Sequence, residues 1–198
     1  MNFSPLITER LSLRHFKETD AEALFSILKD EETTAFLPLF PLTSLDEAKE
    51  HLKKRYLDAY EKGDVYRFAV CLKEDDIPIG EIHASQDESR DLGFVLKKEF
   101  WRRGIMTEAV NAVIERLMRD KVPYITATHD IHNPRSGAVM KKAGMRYCYS
   151  YEEDWQPKNI RVTFRMPERR VLSVCLHILR LQNRIPNRER ERNCRVLF

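Results

Sequence analysis

Phe100-Trp101-Arg102-Arg103-Gly104-Ile105-Met106-Thr107-Glu108-Ala109 is the stretch on which the fold turns. A strand-like run ends before it, a short basic turn with one glycine follows, and an amphipathic helix opens just after Gly104. The first N–H groups of a helix have no partner inside it, and the helix dipole favours anions there. Backbone donors from Arg102 to Thr107 therefore make a cradle for a pyrophosphate, and Arg102 and Arg103 add charge. Gly104 lets the backbone come close to such a ligand. A well-capped helix with no ligand would look much the same.

Upstream, Leu11 to Phe16 alternates apolar and polar residues like a half-buried strand. Thr19 or Asp20 then caps a helix carrying Ala23, Leu24, Ile27 and Leu28. The prolines at 38 and 41 end it. Ser44, with Glu47 three residues on, opens a second helix that runs through Leu52 and Leu57 to Gly63. Three strand signals follow, Tyr66 to Leu72, Pro78 to Ala84 and Asp91 to Leu96, as an antiparallel meander.

Downstream, the helix after Gly104 places Ala109, Val113, Ile114, Leu117 and Met118 on one face, and Pro123 closes it. Tyr124 to Thr128 reads as a strand, which makes a strand–helix–strand crossover. A short helix runs from Ser136 to Ala143 and stops at Gly144. Arg146 to Tyr151 and Ile160 to Met166 form a last hairpin. The fold class is α+β, a mixed and mostly antiparallel sheet of about six to seven strands flanked by about four helices.

The chain of 198 residues divides into a domain over 1–166 and an Arg-rich extension over 167–198. The extension holds eight arginines and three glutamates, a net of +5, so the overall +3 leaves about −2 on the domain. The domain is thus no basic platform, and any nucleic-acid contact is expected from the tail alone. Within it, Val171 to Leu181 has the composition of one apolar helix, followed by a flexible basic end. No run approaches the ~20 apolar residues that span a bilayer. The N-terminus lacks the charged and apolar regions of a secretory signal. The four cysteines form no CxxC pair and no Cys/His cluster. These features point to a cytoplasmic protein with neither a metal site nor a disulfide framework.

A second motif, His132-Asn133-Pro134-Arg135-Ser136, follows the strand after the long helix. An asparagine at a strand end can pair with an amide-bearing ligand laid along the strand, although an Asn–Pro turn capping a helix has the same appearance. Together and in this order, the two motifs resemble the GNAT superfamily of acetyltransferases, and its branch of ribosomal-protein N-terminal acetyltransferases in particular. Ile7-Thr8-Glu9-Arg10-Leu11-Ser12-Leu13-Arg14, Ile79-Gly80-Glu81-Ile82, Leu92-Gly93-Phe94-Val95-Leu96, Thr107-Glu108-Ala109 and Lys142-Ala143-Gly144-Met145 fit that branch. The likeness spans roughly residues 5 to 166.

The resemblance implies acetyl-CoA as donor, direct transfer to an amine, and no metal. Carried over by position, Arg102, Arg103, Gly104, Ile105, Met106 and Thr107 hold the pyrophosphate. Phe94, Val95 and Leu96 offer strand-edge contacts to the pantetheine arm, Asn133 binds that arm, and Ser136 sits near the thiol. The chain departs from the family's pattern at three places. Met106 stands at the last small position of the loop, and Arg102 where the branch often has a glycine. Met140 stands where many relatives carry a tyrosine that protonates the leaving thiolate, which leaves Ser136 or a water for that step, and Gly144-Met145 replaces the family's usual Gly-Phe, a mild apolar swap.

A protonated amine must lose a proton before it can attack a thioester. Glu152 is the first candidate for the base and Glu81 the second. His83 and His132 are further candidates, although a histidine within a sheet is more often structural. A strand N–H near Phe94 or Val95 would steady the developing oxyanion. Tyr147, Tyr149, Tyr151 and Trp155 crowd the expected acceptor mouth. The acidic runs Glu31-Glu32, Asp87-Glu88 and Glu152-Glu153-Asp154 would favour a cationic acceptor. Two other classes of function fit the residues less closely, a non-catalytic acyl-CoA sensor and an RNA- or partner-binding protein acting through the tail. The assembly is expected to be a monomer or a homodimer.

Overall fold

The computed structural model describes residues 4–170. The helix expected over 171–181 and the basic end beyond it lie outside these residues. The described residues form an α+β fold with two sheets.

The first sheet has five antiparallel strands in chain order, β1 (Leu6–Ile7), β2 (Leu11–Arg14), β3 (Arg67–Leu72), β4 (Pro78–Ala84) and β5 (Leu92–Leu96). The second carries β6 (Tyr124–Thr126), β7 (His129–Asp130), β8 (Arg146–Trp155) and β9 (Ile160–Arg170), with β9 pairing all the other three. The helices are α1 (Ala21–Leu28), α2 (Glu31–Thr34), α3 (Leu45–Leu52), α4 (Asp58–Glu61), α5 (Ile105–Arg119) and α6 (Pro134–Lys142). One turn of π-helix, Lys53–Leu57, joins α3 to α4. This helix, expected as one piece, is thus divided, and the short α2 is an addition to the expected set.

Strand alternation builds a core on each face of the first sheet. Phe68, Val70, Ile82 and Leu92 point to one side and meet Ile105, Ala109, Val113, Ile114 and Leu117 of α5. Ala69, Cys71 and Val95 point to the other and meet Leu24, Ile27 and Leu28 of α1, with Leu52 and Tyr56 from the helix opened by Ser44. Met118, expected on the buried face of α5, is 43% exposed. The buried face starts earlier than expected, with Ile105 and Met106, and by position 118 the 3.6-residue period has carried the stripe round to Leu117.

Between the sheets, β5 and β6 run parallel across the α5 crossover and touch at one bridge, Asp91 with Thr126. The Thr126 N–H donates to the Arg90 carbonyl at 3.1 Å. Beyond that point β5 pairs with β4 alone, and β6 with β9. The two parallel strands therefore splay apart, and this opening positions the candidate site.

Candidate active site

Both edges of the splay follow from hydrogen-bond alternation. The Lys97 N–H donates to the Ile79 carbonyl at 2.8 Å, and the Asp91 carbonyl accepts from the Ser85 N–H at 2.8 Å. Odd-numbered residues of β5 therefore bond to β4, and even-numbered ones turn their backbone to the opening. Phe94 and Leu96 present N–H groups there, while Val95 turns its own toward β4. The Leu96 carbonyl is already taken by the Trp101 indole N–H at 2.7 Å. Of the three expected strand-edge residues, Phe94 and Leu96 thus face the opening through their backbone, and the Val95 side chain is buried in the core beside α1.

At one end of the splay lies the loop into α5. Gly104 is its N-cap residue, with φ 76° and no side chain to cap the helix, so the N–H groups of Ile105, Met106 and Thr107 have no side-chain cap. A Cβ at Gly104 would meet nothing closer than 3.6 Å, so glycine is needed there for its backbone angle and not for space. Arg102 also takes a left-handed conformation, with φ 63°. Arg102 to Gly104 are exposed, and the Arg103 guanidinium lies over the Phe100 ring. Ile105 and Met106 contribute backbone here and bury their side chains in the core.

The amino-terminal segment latches this loop in place. Glu108 accepts hydrogen bonds from the Thr8 hydroxyl at 2.6 Å, the Arg10 N–H at 2.9 Å and the Arg10 Nε at 2.7 Å. Arg10 Nη1 donates to the Arg103 carbonyl at 3.0 Å. Burial pushes the Glu108 carboxyl up, but the Thr8 and Arg10 bonds outweigh it and hold the group below its ordinary range. The sequence placed these residues in two separate motifs, and the structure joins them.

At the other side of the splay, Asn133 is the N-cap of α6. Its Oδ1 accepts from the Ser136 N–H at 3.2 Å, and its Nδ2 donates to the Ser136 hydroxyl at 3.0 Å. The helix therefore begins at Pro134 and not at Ser136, and the Asn133 side chain is engaged in capping. Ser136 remains half-buried. Met140 is 3% exposed within the core, so no polar side chain projects from that position of α6.

The candidate bases are widely separated. Glu152 is exposed and pairs with Arg161 at 2.9 Å. Alternation along β8 turns it to the opposite face from Tyr149, Tyr151 and Trp155; the Tyr151 and Trp155 rings pack on Phe164. Glu81 lies on β4 and is buried, with His83 two residues on and on the same face. His83 Nδ1 stands 3.7 Å from Glu81 Oε2, an ion-pair distance and longer than a hydrogen bond. Burial pushes the Glu81 carboxyl up. The His83 ring, the Arg55 guanidinium and the Tyr56 hydroxyl outweigh it and hold the group at about 2. Asp91 is pushed above its ordinary value by burial, against the opposing effect of His83. His132 is exposed and bonds Asp130 at 2.9 Å.

The acidic runs are largely engaged nearby. Glu32 pairs with Lys98, Asp87 accepts from the Ser89 N–H at 2.8 Å, and Asp154 lies 3.9 Å from Arg161. Lys158, in the β8–β9 turn, donates to the Thr34 and Ala35 carbonyls at 2.8 and 3.1 Å. The hairpin tip is thereby strapped to the end of α2. Two clefts, of about 690 and 650 Å³, lie away from the splay, one between β1 and α5 and one beside His51 and Arg55. Among the described residues no group of three or more His, Cys, Asp or Glu side chains could hold a metal ion. No helix there is long and apolar enough to cross a membrane.

Comparison with known proteins agrees with this geometry. The model of the acetyltransferase (GNAT) domain matches residues 10–146. An uncharacterized N-acetyltransferase, p20 of Bacillus licheniformis, is 31% identical over 114 residues. That match covers 56% of this chain and 64% of p20, a little under two thirds of the relative's length. Among solved structures, a GNAT-family acetyltransferase from Bacillus anthracis superposes with a TM-score of 0.74 at 21% identity, covering 85% of this chain and 99% of its own. The ribosomal L7/L12 alpha-N-protein acetyltransferase RimL, solved with coenzyme A, superposes with a TM-score of 0.70 at 19% identity, covering 84% and 98%. At these identities the two structures are similar to this chain in fold.

Proposed function

Because the chain belongs to the GNAT acetyltransferase family, we propose that it moves the acetyl group of acetyl-CoA onto a primary amine by direct attack. The observation that carries this reading is the splay between β5 and β6, which ends at the uncapped start of α5. The opening fits an extended arm with amides. Phe94 and Leu96 offer N–H donors along one wall, as an added strand would require. The loop from Arg102 to Thr107 fits a pyrophosphate through backbone donors, with two guanidinium groups beside it. RimL, solved with coenzyme A, supports the same choice of donor.

In this reading the Phe94 N–H steadies the thioester oxygen as charge develops. The thiolate is a good leaving group, since an ordinary thiol has a pKa of about 8.5. The Ser136 hydroxyl, fixed by Asn133, is the group on this chain that returns a proton to sulfur. The acceptor enters between α2 and the β8–β9 hairpin, where the strap from Lys158 limits the mouth. A protein N-terminus, as in the ribosomal-protein branch, and a small amine both fit such a mouth. The site would work in the cytoplasm, where acetyl-CoA is made available.

The test is calorimetric titration with acetyl-CoA, followed by thiol release against a panel of amines and N-terminal peptides. Binding with turnover of an amine is expected. Failure to bind acetyl-CoA would overturn the proposal. Binding with no turnover across the panel would turn it toward an acyl-CoA sensor.

A further inference from the structure

Four buried polar atoms on one face of the first sheet have no hydrogen-bond partner: Glu81 Oε2, His83 Nδ1, Asp91 Oδ1 and Nη1 of Arg67, which stands opposite His83 on β3. Glu81 and His83 come from β4, and Asp91 lies just before β5, beside the bridge that closes the splay. Buried polar groups are almost always paired, because an orphan forfeits its hydration for nothing. Glu81 Oε2 and His83 Nδ1 stand 3.7 Å apart and face each other, and the Arg67 guanidinium is paired with Asp64; Asp91 Oδ1, beside the bridge, is left for a polar group that arrives from outside.

The orientation of the imidazole gives that arrangement a direction. His83 pairs across the ladder with Gly93. A Cβ at Gly93 would stand 2.5 Å from His83 Cε1 and 2.8 Å from Nε2. The Nε2 edge of the ring therefore lies directly over the β5 backbone, in space that only a glycine leaves open. The other edge turns Nδ1 toward Glu81. One residue beyond Gly93, Phe94 turns its N–H into the splay. The ring thus reaches from a buried carboxylate to the strand that would carry the thioester.

We propose that His83 is the general base of the transfer, that Glu81 is the positioning residue holding its Nδ1–H, and that Asp91 receives the incoming ammonium. The proposal rests on the acetyltransferase reading above. Neutral His83 accepts one proton at Nε2 from the acceptor ammonium. The freed nitrogen pair attacks the thioester carbon, the C–N bond forms, and the C–S bond breaks with its electrons leaving on sulfur. The second proton lost by nitrogen passes to the thiolate through the Ser136 hydroxyl, which gives one proton to sulfur and takes one in return, so that the free thiol forms and the serine is unchanged. His83 then releases its own proton to water.

The alternatives on this chain are weaker. Glu81, held at about 2, is a poor base near neutrality and a good fixed anion. Glu152 faces away and is paired with Arg161. The charged and titratable groups around His83 are Glu81 on its own strand, Asp91 just before β5 and Arg67 opposite it on β3. His51, Arg55 and Tyr56 come from the helix side and act on Glu81, and Tyr151 from β8 acts near Asp91. Arg67 is paired with Asp64 at 2.6 Å, which moderates its effect on an imidazolium. A long Nδ1–Glu81 distance is usual before substrates assemble, since catalytic hydrogen bonds often tighten only in the complex.

The experiment uses the full chain with the best amine from the panel. His83→Ala should lower kcat/KM for the amine by about 100-fold or more, the ordinary yield of a general base. Its acetyl-CoA Kd should stay within about threefold of the wild type, because His83 lies outside the groups placed on the cofactor. Added imidazole should restore at least about tenfold of the lost rate, which a structural histidine would not allow. Gly93→Ala should push the ring aside and lower kcat with acetyl-CoA binding intact. Should His83→Ala not fold, His83→Gln with its melting temperature checked takes its place, and near-wild-type turnover in that variant overturns the proposal. Loss without imidazole rescue in a folded His83→Ala also overturns it. Turnover in that variant within threefold of wild type overturns the base and leaves the acetyltransferase reading standing. A wild type that binds acetyl-CoA and acetylates nothing overturns both.

Discussion

Replacing Glu108 by alanine should damage both stability and cofactor affinity, by amounts that the latch geometry fixes. The carboxylate meets the Thr8 hydroxyl at 2.6 Å, the Arg10 N–H at 2.9 Å, and Arg10 Nε and Nη2 both at 2.7 Å. The Arg10 side chain is 45% exposed, so its ion pair contributes no more than about 1 kcal/mol. The Thr8 and backbone bonds to a charged acceptor add roughly 1–2 kcal/mol more. The total, about 2–3 kcal/mol, corresponds to a fall in Tm of roughly 4–12 °C for a chain of this size. The second effect runs through Arg10 Nη1, which holds the Arg103 carbonyl. Freeing one such bond at the loop proposed to hold the pyrophosphate should weaken acetyl-CoA by about 3- to 10-fold, the equivalent of roughly 0.7–1.4 kcal/mol. Differential scanning calorimetry and isothermal titration read the two effects on the same sample. An Arg10→Ala, Glu108→Ala cycle should show a coupling of about 1 kcal/mol. An unchanged Tm together with an unchanged Kd would refute the idea that the amino-terminal segment braces the loop.

Three further outcomes follow from other parts of the fold. Arg14→Met should cost about 3–5 kcal/mol in urea unfolding, because Arg14 and Asp20 are 8% and 7% exposed and Asp20 would be left as an unpaired buried charge. His15 stacks on Tyr60 at 3.8 Å, and burial, opposed in part by Asp64, lowers its pKa from 6.5 to about 4. Between those values the unfolded chain binds a proton that the folded one refuses, so stability should fall as pH drops from about 6.5 to about 4. The loss, discounted for solvent around a partly exposed ring, is roughly 1–2 kcal/mol. His15→Phe should flatten this part of a Tm-against-pH curve. Arg102→Gly should give effects of opposite sign: about 0.5–1 kcal/mol of added stability from relief of the left-handed backbone, and a few-fold weaker acetyl-CoA binding from the lost charge.

The loop into α5 was legible in the sequence because its signals are local. A basic turn, a glycine and an amphipathic run in succession specify a helix start without reference to the rest of the chain. The glycine expected at 102 in related proteins also acquires a physical reason, since Arg102 occupies a conformation that glycine adopts freely. Where the outcome depended on pairing, the sequence was a poorer guide. The last strand was expected to end at Met166, before a proline that cannot donate to a ladder. It continues to Arg170, because the register shifts between Tyr147 and Tyr149 opposite Pro167, so the missing N–H falls at an irregularity. That extension is what allows β9 to pair with β6, through Tyr124 with Arg170 and Thr126 with Glu168, and so to form the far wall of the splay.

The face proposed to be catalytic shows the same division more sharply. Period-two alternation puts Glu81 and His83 on one side of a strand, but the sequence offers them only as separate candidates, since an alternating pair is found in most half-buried strands and carries no chemistry by itself. Its meaning comes from the register of β4 on β5, which sets His83 against Gly93 and not against Phe94 or Leu92. A shift of one residue would send the imidazole into a side chain and turn the Glu81 carboxylate to the α5 core. Asn133 shows the converse. In sequence its side chain fits a ligand contact or a cap, and the structure shows it capping α6 while fixing the Ser136 hydroxyl at 3.0 Å. A capping asparagine at that place still serves the chemistry, since it holds the serine that faces the leaving sulfur in the proposed reaction. Ligand motif and helix cap are then one arrangement, which is why local sequence alone did not separate them.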